Sequence, residues 1–227
     1  MSSAALDHLV VLAHTLDEGV AWCEATLGVT PSAGGAHPLM GTHNRLLRLR
    51  SASGQPAYLE ILAVDPGQTP QRTAPLKRWF DLDQPALQAR LRQHGPSLQH
   101  WVARCPDVQG AGRAWQALGL ERGPVLTASR QTAHGLLSWQ ITVRDDGQRL
   151  LDGTLPTLIQ WGDQHPVDQL PDAGLELLDF RLSLPDPAPL DAALQALALP
   201  VPVHAGPPQL QATLLSPRGR VTLQSLT

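Results

Sequence analysis

The chain nearly repeats itself. Leu6-Asp7-His8-Leu9 returns as Leu98-Gln99-His100-Trp101, and Tyr58-Leu59-Glu60-Ile61 returns as Leu158-Ile159-Gln160-Trp161. The two intervals differ by only a few residues, the length of a loop. Such a chain is built from two like units, each too small to bury its apolar face alone. In each unit a strand opens with a histidine and a later strand carries a carboxylate or an amide. His8, Glu60, His100 and Gln160 thus hold quasi-equivalent places and are candidate ligands for a metal or a substrate.

Local pattern gives the elements of each unit. Residues 6–12 read as a strand with Leu6, His8, Val10 and Leu12 on one face and Asp7, Leu9 and Val11 on the other. Thr15 or Asp17 can cap a helix over 16–27, which Gly28 stops. A Gly34-Gly35 stretch, a strand at 45–50, a turn at Gly54 and a strand at 57–64 follow. The second unit repeats the order with a strand at 98–104, a helix over 107–118 ending at Gly119, and strands near 125–129, 136–144 and 156–162. Asp145-Asp146-Gly147 reads as a hairpin turn between the last two.

This βαβββ duplication resembles the vicinal-oxygen-chelate superfamily, which holds glyoxalase I, extradiol dioxygenases and metal-free drug-resistance binding proteins. Residues 6–165 resemble more closely its glyoxalase-like domain family. The resemblance rests on Leu6-Asp7-His8, Gly34-Gly35-Ala36-His37-Pro38, Gly41-Thr42-His43-Asn44-Arg45-Leu46, Tyr58-Leu59-Glu60, His100-Trp101 and Leu158-Ile159-Gln160-Trp161. It implies an α+β fold in which tandem modules form a cup-shaped curled sheet: residues 1–165, with module one at 5–65, a linker with a helix at 66–96, and module two at 97–165. It also implies that His8, Glu60, His100 and Gln160 meet at the base of the cup. Two His and a carboxylate are good ligands for Zn, Ni, Mn or Fe, and a bound cation would polarise adjacent substrate oxygens and stabilise an enediolate. The binding-protein members imply no cofactor at all.

Gln160 departs from the metal-binding pattern, because an amide ligates weakly and takes no proton. Glu60 is then the one catalytic base in the set. A carboxylate in the run Leu59-Glu60-Ile61-Leu62 needs a cation or strong donors to stay ionised, and Arg45 or Arg48 would serve as well as a metal. The segment from Gly34 to Leu46 reads as a loop entering the cup mouth, with His37, Thr42, Asn44 and Arg45 as substrate contacts, or else as a loop whose polar groups bond their own backbone. Tyr58 shares a strand face with Glu60, and Trp139 is a candidate aromatic wall. Trp101 and Trp161 each follow a ligand position, so alternation sends both to the helical face. His165-Pro166 reads as a strand-ending loop, or else as part of the lining of the same mouth.

Residues 174–227 form a third, shortened module: Leu178-Asp179-Phe180 echoes Leu6-Asp7-His8 with Phe180 in the histidine's place. Its first strand puts Leu178, Phe180, Leu182 and Leu184 in one row, too apolar for water, to be covered either by the flank of the cup or by its counterpart in a second chain, with a symmetric homodimer favoured. A formal charge of −3 without dense Lys/Arg runs gives no footprint for nucleic acid. No apolar run is long enough for a membrane span, and two cysteines make no disulfide framework. The N-terminus has no secretory pattern, and the cytoplasm is the expected compartment. The functional expectation is a metal-dependent lyase or isomerase acting on a small substrate with adjacent oxygens. The alternatives are a metal-free binding protein and an Fe(II) extradiol-type dioxygenase.

Overall fold

The computed structural model describes residues 4–51, 54–132 and 135–225. Unit one runs β1 (Ala5–Leu12), α1 (Leu16–Leu27), β2 (Ser32–His37), β3 (Thr42–Ser51) and β4 (Ala57–Val64). The Thr15 hydroxyl accepts from the Glu18 N–H at the start of α1, and Gly28 at φ 75° ends it, a left-handed turn that suits glycine. After the linker helix α2 (Pro85–His94), unit two repeats the order as β5 (Ser97–Arg104), α3 (Val108–Gln116), β6 (Val125–Thr132), β7 (Gly135–Thr142) and β8 (Thr157–Trp161). Two local expectations change. The Gly34–Leu46 segment is a β2–β3 hairpin rather than a loop, because its alternating residues pair with each other. The turn at Asp145–Gly147 forms but closes no tight hairpin, since β8 begins only at Thr157.

In each of these units the first strand pairs in parallel with the last, β1 with β4 and β5 with β8. The units join through antiparallel β1 and β5, where His8 lies opposite Val102 and Val10 opposite His100. This curled sheet has two faces. Leu9, Val11, Leu59, Ile61 and Trp101 pack under the helices, whereas Val10, Leu12, Leu62, Val102 and Ile141 face the cup.

The third unit has the same element order: β9 (Leu175–Leu184), α4 (Ala188–Ala196), β10 (Val203–Ala205), β11 (Gln209–Ser216) and β12 (Gly219–Gln224). Its pairing differs, with β9 between β11 and β3, so all three units share one sheet. The apolar row also differs from the expected one. A register shift on β9 opposite Thr213/Leu214 turns Leu178 outward, 40% exposed, and Leu175, Leu177, Phe180, Leu182 and Leu184 inward. Phe180 meets Trp101 edge-on at 5.3 Å, and the Trp115 indole N–H donates to the Ala193 carbonyl at 2.8 Å. The row is therefore covered within its own chain, which removes the physical reason for the expected homodimer.

The linker does more than connect. Arg72 donates to the Arg144 carbonyl and the Asp145 carboxylate, the Lys77 N–H to the Asp145 carbonyl, and the Asp81 N–H to the Gly147 carbonyl. Arg149 pairs with the Asp81 carboxylate at 2.8 Å. These ties hold Phe80 and Asp81 at φ 60°, a left-handed conformation costing about 1–2 kcal/mol per residue, and turn Trp79, Phe80 and Leu82 into the cup. Among the described residues no helix is long and apolar enough to cross a membrane.

Removing the Phe180 ring empties a buried, aromatic-lined site, so Phe180→Ala should cost about 3–5 kcal/mol. Leu178→Ala, on the exposed side of the same strand, should cost less than about 0.5 kcal/mol. Denaturant unfolding of the two variants checks the inward turn of β9; equal losses would contradict it.

Candidate functional site

The site starts from an irregularity in β1. A register shift between Leu6 and His8 takes Asp7 out of simple alternation, and its side chain is fully buried. Its carboxylate accepts from His8 Nδ1 at 2.6 Å, Trp161 Nε1 at 3.0 Å and His165 Nε2 at 3.0 Å. Burial alone would push this carboxyl up, but the hydrogen bonds from His165 and His8 outweigh it and hold the group well below the usual carboxylate range. An ionised Asp7 draws the Nδ1–H of His8 toward itself and so turns Nε2 into the chamber.

That Nε2 stands 3.6 Å from Glu60 Oε2, while the imidazole stacks on Tyr58 at 4.4 Å. Asn44 Nδ2 donates to Glu60 Oε1 at 2.6 Å, and Asn44 Oδ1 accepts the Gly35 N–H at 2.8 Å. A Cβ at Gly34 would overlap the Asn44 side chain, so the hairpin needs glycine there. His37 Nδ1 bonds the Thr42 hydroxyl at 3.1 Å; burial first, then the charges of Arg130, His8 and His43, push its pKa down to about 3. His37 is neutral at physiological pH.

The structure brings His8, His37, Asn44, Tyr58, Glu60 and Trp139 to one chamber. Thr42 stands behind His37 and reaches the site only through it. Arg45 alternates to the other face of β3 and donates to the Asn44 carbonyl. Among the described residues neither Arg45 nor Arg48 pairs with Glu60, whose partners are Asn44 and His8.

The second half of the duplicated set is not assembled. Val10 pairs with Glu60 in unit one, and its counterpart Val102 pairs with Thr157, three residues before Gln160. Thr157, not Gln160, is therefore the structural equivalent of Glu60. An odd shift along a strand reverses the face, so Gln160 points to the helices, where its Oε1 accepts the Val108 N–H at 3.0 Å. By the same parity Trp161 faces the cup rather than the helical side expected of it, while Trp101 lies under the helices and donates to the Thr154 carbonyl at 2.7 Å. His100 is fully buried beneath Phe80, ring centroids 4.8 Å apart. Its Nδ1 bonds the Gly153 carbonyl and its Nε2 the Thr157 hydroxyl, both at 3.0 Å. Burial, then the charges of Arg122 and Arg149, push its pKa well down.

Of the four expected ligands, only His8 and Glu60 offer free donor atoms to one point, fewer than the three or four protein ligands of a resident transition metal. Among the described residues no group of three or more His, Cys, Asp or Glu is placed to hold a metal ion. The residues present do not fit a chelated cation.

The space above the pair is divided. The inner chamber leaves about 30 Å³ for the centre of a water-sized sphere, room for a small functional group and not for a whole substrate. The outer one, about 330 Å³, is lined by Pro38, Leu39, Met40 and Gln71 from unit one and its linker and by Thr127–Ser129 from unit two. His37, Trp79, Trp139 and Ile141 line both. Sequence reasoning missed Asp7, Trp161, Arg130 and the linker pair Trp79-Phe80, and the bond that ties His165 to Asp7. Two aromatics in an otherwise polar, proline-rich linker were a usable signal; Arg130 gave none.

The profile of a family described as Glyoxalase-like domain matches residues 6–198, most of the chain and part of the third unit. The protein belongs to this glyoxalase-like domain family. No curated protein matches the chain. A Staphylococcus aureus protein described as hypothetical overlays with a TM-score of 0.58 at 13% identity, covering 97% of this chain and 85% of its own, and so shares the fold. A Streptomyces coelicolor methylmalonyl-CoA epimerase in complex with 2-nitronate-propionyl-CoA has a TM-score of 0.44 at 18% identity, covering 72% of this chain and 99% of its own. The Mycobacterium tuberculosis methylmalonyl-CoA epimerase has a TM-score of 0.36 at 16% identity, covering 69% and 85%.

The buried neutral histidines predict acid sensitivity. His37 and His100 have folded-state pKa values below 6.5, so the unfolded chain binds more protons than the fold once pH drops past 6.5. Their contribution is full above that value. It falls by about 1.4 kcal/mol per pH unit for each histidine as pH drops, until the folded-state value is passed. Urea unfolding from about pH 7 to about pH 5 checks this slope; a flat midpoint would refute the neutral-histidine assignment.

Proposed function

We propose that this glyoxalase-like protein is a proton-transfer enzyme of the isomerase or lyase type, acting on a small substrate with neighbouring oxygens. The observation that carries the reading is the Asp7–His8–Glu60 chain, with His8 Nδ1 tied to Asp7 at 2.6 Å and Nε2 facing Glu60 at 3.6 Å. Paired titratable groups in unlike environments at the end of a closed chamber are what general acid–base catalysis needs.

In this reading Glu60 takes the proton from a carbon beside a carbonyl. The C–H electron pair moves into the C–C bond and the carbonyl π pair onto oxygen, giving an enolate. The proton returns from Glu60, or through His8 Nε2, to the same carbon or, where that carbon bears a hydroxyl whose proton shifts to the enolate oxygen, to the adjacent carbon while the new carbonyl forms on the first. Asp7 keeps His8 in the tautomer that can receive it, and Asn44 holds Glu60 in place. Trp79, Phe80, Trp139 and Trp161 keep water from the inner chamber, which strengthens each polar contact inside. No step requires the four-ligand metal set. An Fe(II) dioxygenase would need His100 as a ligand, and both of its nitrogens are engaged.

A metal-free binding cup is the second reading, supported by the incomplete donor set and the aromatic walls of the outer chamber. Exchange of substrate C–H for deuterium in D₂O separates the two, because it detects deprotonation whatever the product. A panel of 2-hydroxy acids, 2-oxo acids and acyl thioesters, followed by proton NMR, should contain exchanging members. His8→Ala and Glu60→Gln should each lower that exchange by about 100-fold or more while the protein stays folded. Binding without exchange across the panel would favour the binding cup. Elemental analysis of protein purified without chelator should find less than about 0.1 equivalent of transition metal, as a two-donor site predicts; a full equivalent would restore the metal-dependent reading.

A further inference from the structure

We infer that Arg130 and the Trp79 indole N–H form the receptor for an anionic oxygen of the substrate, and that the substrate is a carboxylate with an apolar tail. This deepens the proton-transfer reading and rests on it only for where the reacting carbon lies.

Most polar groups of the inner chamber are committed. Asn44 is bonded at both ends, His37 Nδ1 to Thr42, and His8 Nδ1 to Asp7. Two donors are not. Trp79 is 7% exposed and its Nε1 has no partner; Arg130 Nη1 is buried and has none. Both residues line the inner chamber. A buried donor left unbonded costs about 1–3 kcal/mol, and more when charged, so such a pair beside a cavity calls for a ligand.

Arg130 reaches the chamber by an arranged route. It lies on β6 of unit two and packs over Gly35 on β2 of unit one, where a Cβ would overlap Nη1 and clash with Cδ. No carboxylate among the described residues pairs with it. Its charge falls instead on the chamber wall, where it adds to the burial that holds His37 neutral and opposes the burial and the Asp7 and Glu60 charges that raise the Tyr58 pKa. A planar guanidinium and an indole N–H that line the same small chamber can each donate to an oxygen of a carboxylate.

The volumes set the rest of the molecule. The inner chamber holds a group the size of a carboxylate and its α-carbon, next to Glu60 and His8. The remainder must pass the neck formed by His37, Trp79 and Trp139 into the outer chamber, among Pro38, Leu39, Met40 and Ile141. Those walls favour an alkyl or aryl tail.

The test is binding of butanoate, hexanoate and octanoate to the full chain, beside the matching primary amides, read by ligand-observed NMR and tryptophan fluorescence. The acids should saturate the site, bind more tightly as the tail lengthens, and exceed their amides by about tenfold or more. Arg130→Gln should erase that preference. Trp79→Phe, which keeps a ring at the neck, should weaken the acids several-fold. Gly35→Ala displaces Arg130 without deleting it and should also reduce the preference, so the idea stays testable if one variant fails to fold. Equal affinity for acid and amide, a preference that survives Arg130→Gln, or no saturation by any acid below about 10 mM would overturn it. Glu60→Gln should retain acid binding while losing C–H exchange. Arg130-dependent acid binding without exchange in any substrate would overturn the proton-transfer reading alone; exchange confined to uncharged substrates would overturn this inference alone.

Discussion

A carboxylate with no exposed surface sits where the two paired units meet, and much of the cup is arranged around keeping it charged. Asp7 receives three nitrogen donors, from its neighbour His8, from Trp161 at the end of β8, and from His165 in the segment that follows. A buried carboxylate is costly unless its lone pairs are matched, and breaking one contact of a matched set leaves the charge exposed to a low-dielectric interior. The same three bonds fasten the end of unit two onto the first strand of unit one. They also decide which nitrogen of His8 looks into the chamber. Structural and chemical demands thus fall on one group.

The duplicated scaffold is used asymmetrically. In unit one the histidine stands 3.6 Å from a carboxylate at the wall of the chamber; in unit two the equivalent histidine is closed onto a threonine hydroxyl and a backbone carbonyl. Phe80 seals the second half, and the linker that carries it is held at strained backbone angles by Arg149, Asp81 and the 144–147 turn. Filling half of the cup contracts the reactive space to a small chamber and leaves a larger one outside it. The third unit takes no part in that chamber. It covers the helical face, where Phe180, Leu182 and Leu214 join the core around Trp101 and Trp115.

The βαβββ repeat, the shared face of His8, Val10 and Leu12 on β1 and the capped helix α1 were legible in the sequence, because each depends on local periodicity, cap chemistry or a repeat of like residues, and the meeting of His8 with Glu60 was what the family resemblance implied. The placement of Gln160 was not. Matching Leu158-Ile159-Gln160-Trp161 onto Tyr58-Leu59-Glu60-Ile61 by similarity is off by three residues from the match made by hydrogen-bond register, and on a strand an odd error reverses every side chain. Trp161 was misplaced for the same reason, and Leu178 because a bulge on β9 breaks an apparently regular alternation.

By itself, then, the sequence determined the kind of unit and its number, since those are properties of short windows and of the pairs they repeat. Which histidine remained open was decided only in three dimensions. That outcome depends on whether a distant segment covers it, and Trp79-Phe80 are held in the cup by contacts with residues far away in the chain, 38–40 on one side and 144–149 on the other. Arg130 belongs to the same class. Its position over Gly35 comes from two units curling toward each other, a closure that leaves no periodic trace on β6 for a reader of the sequence to find.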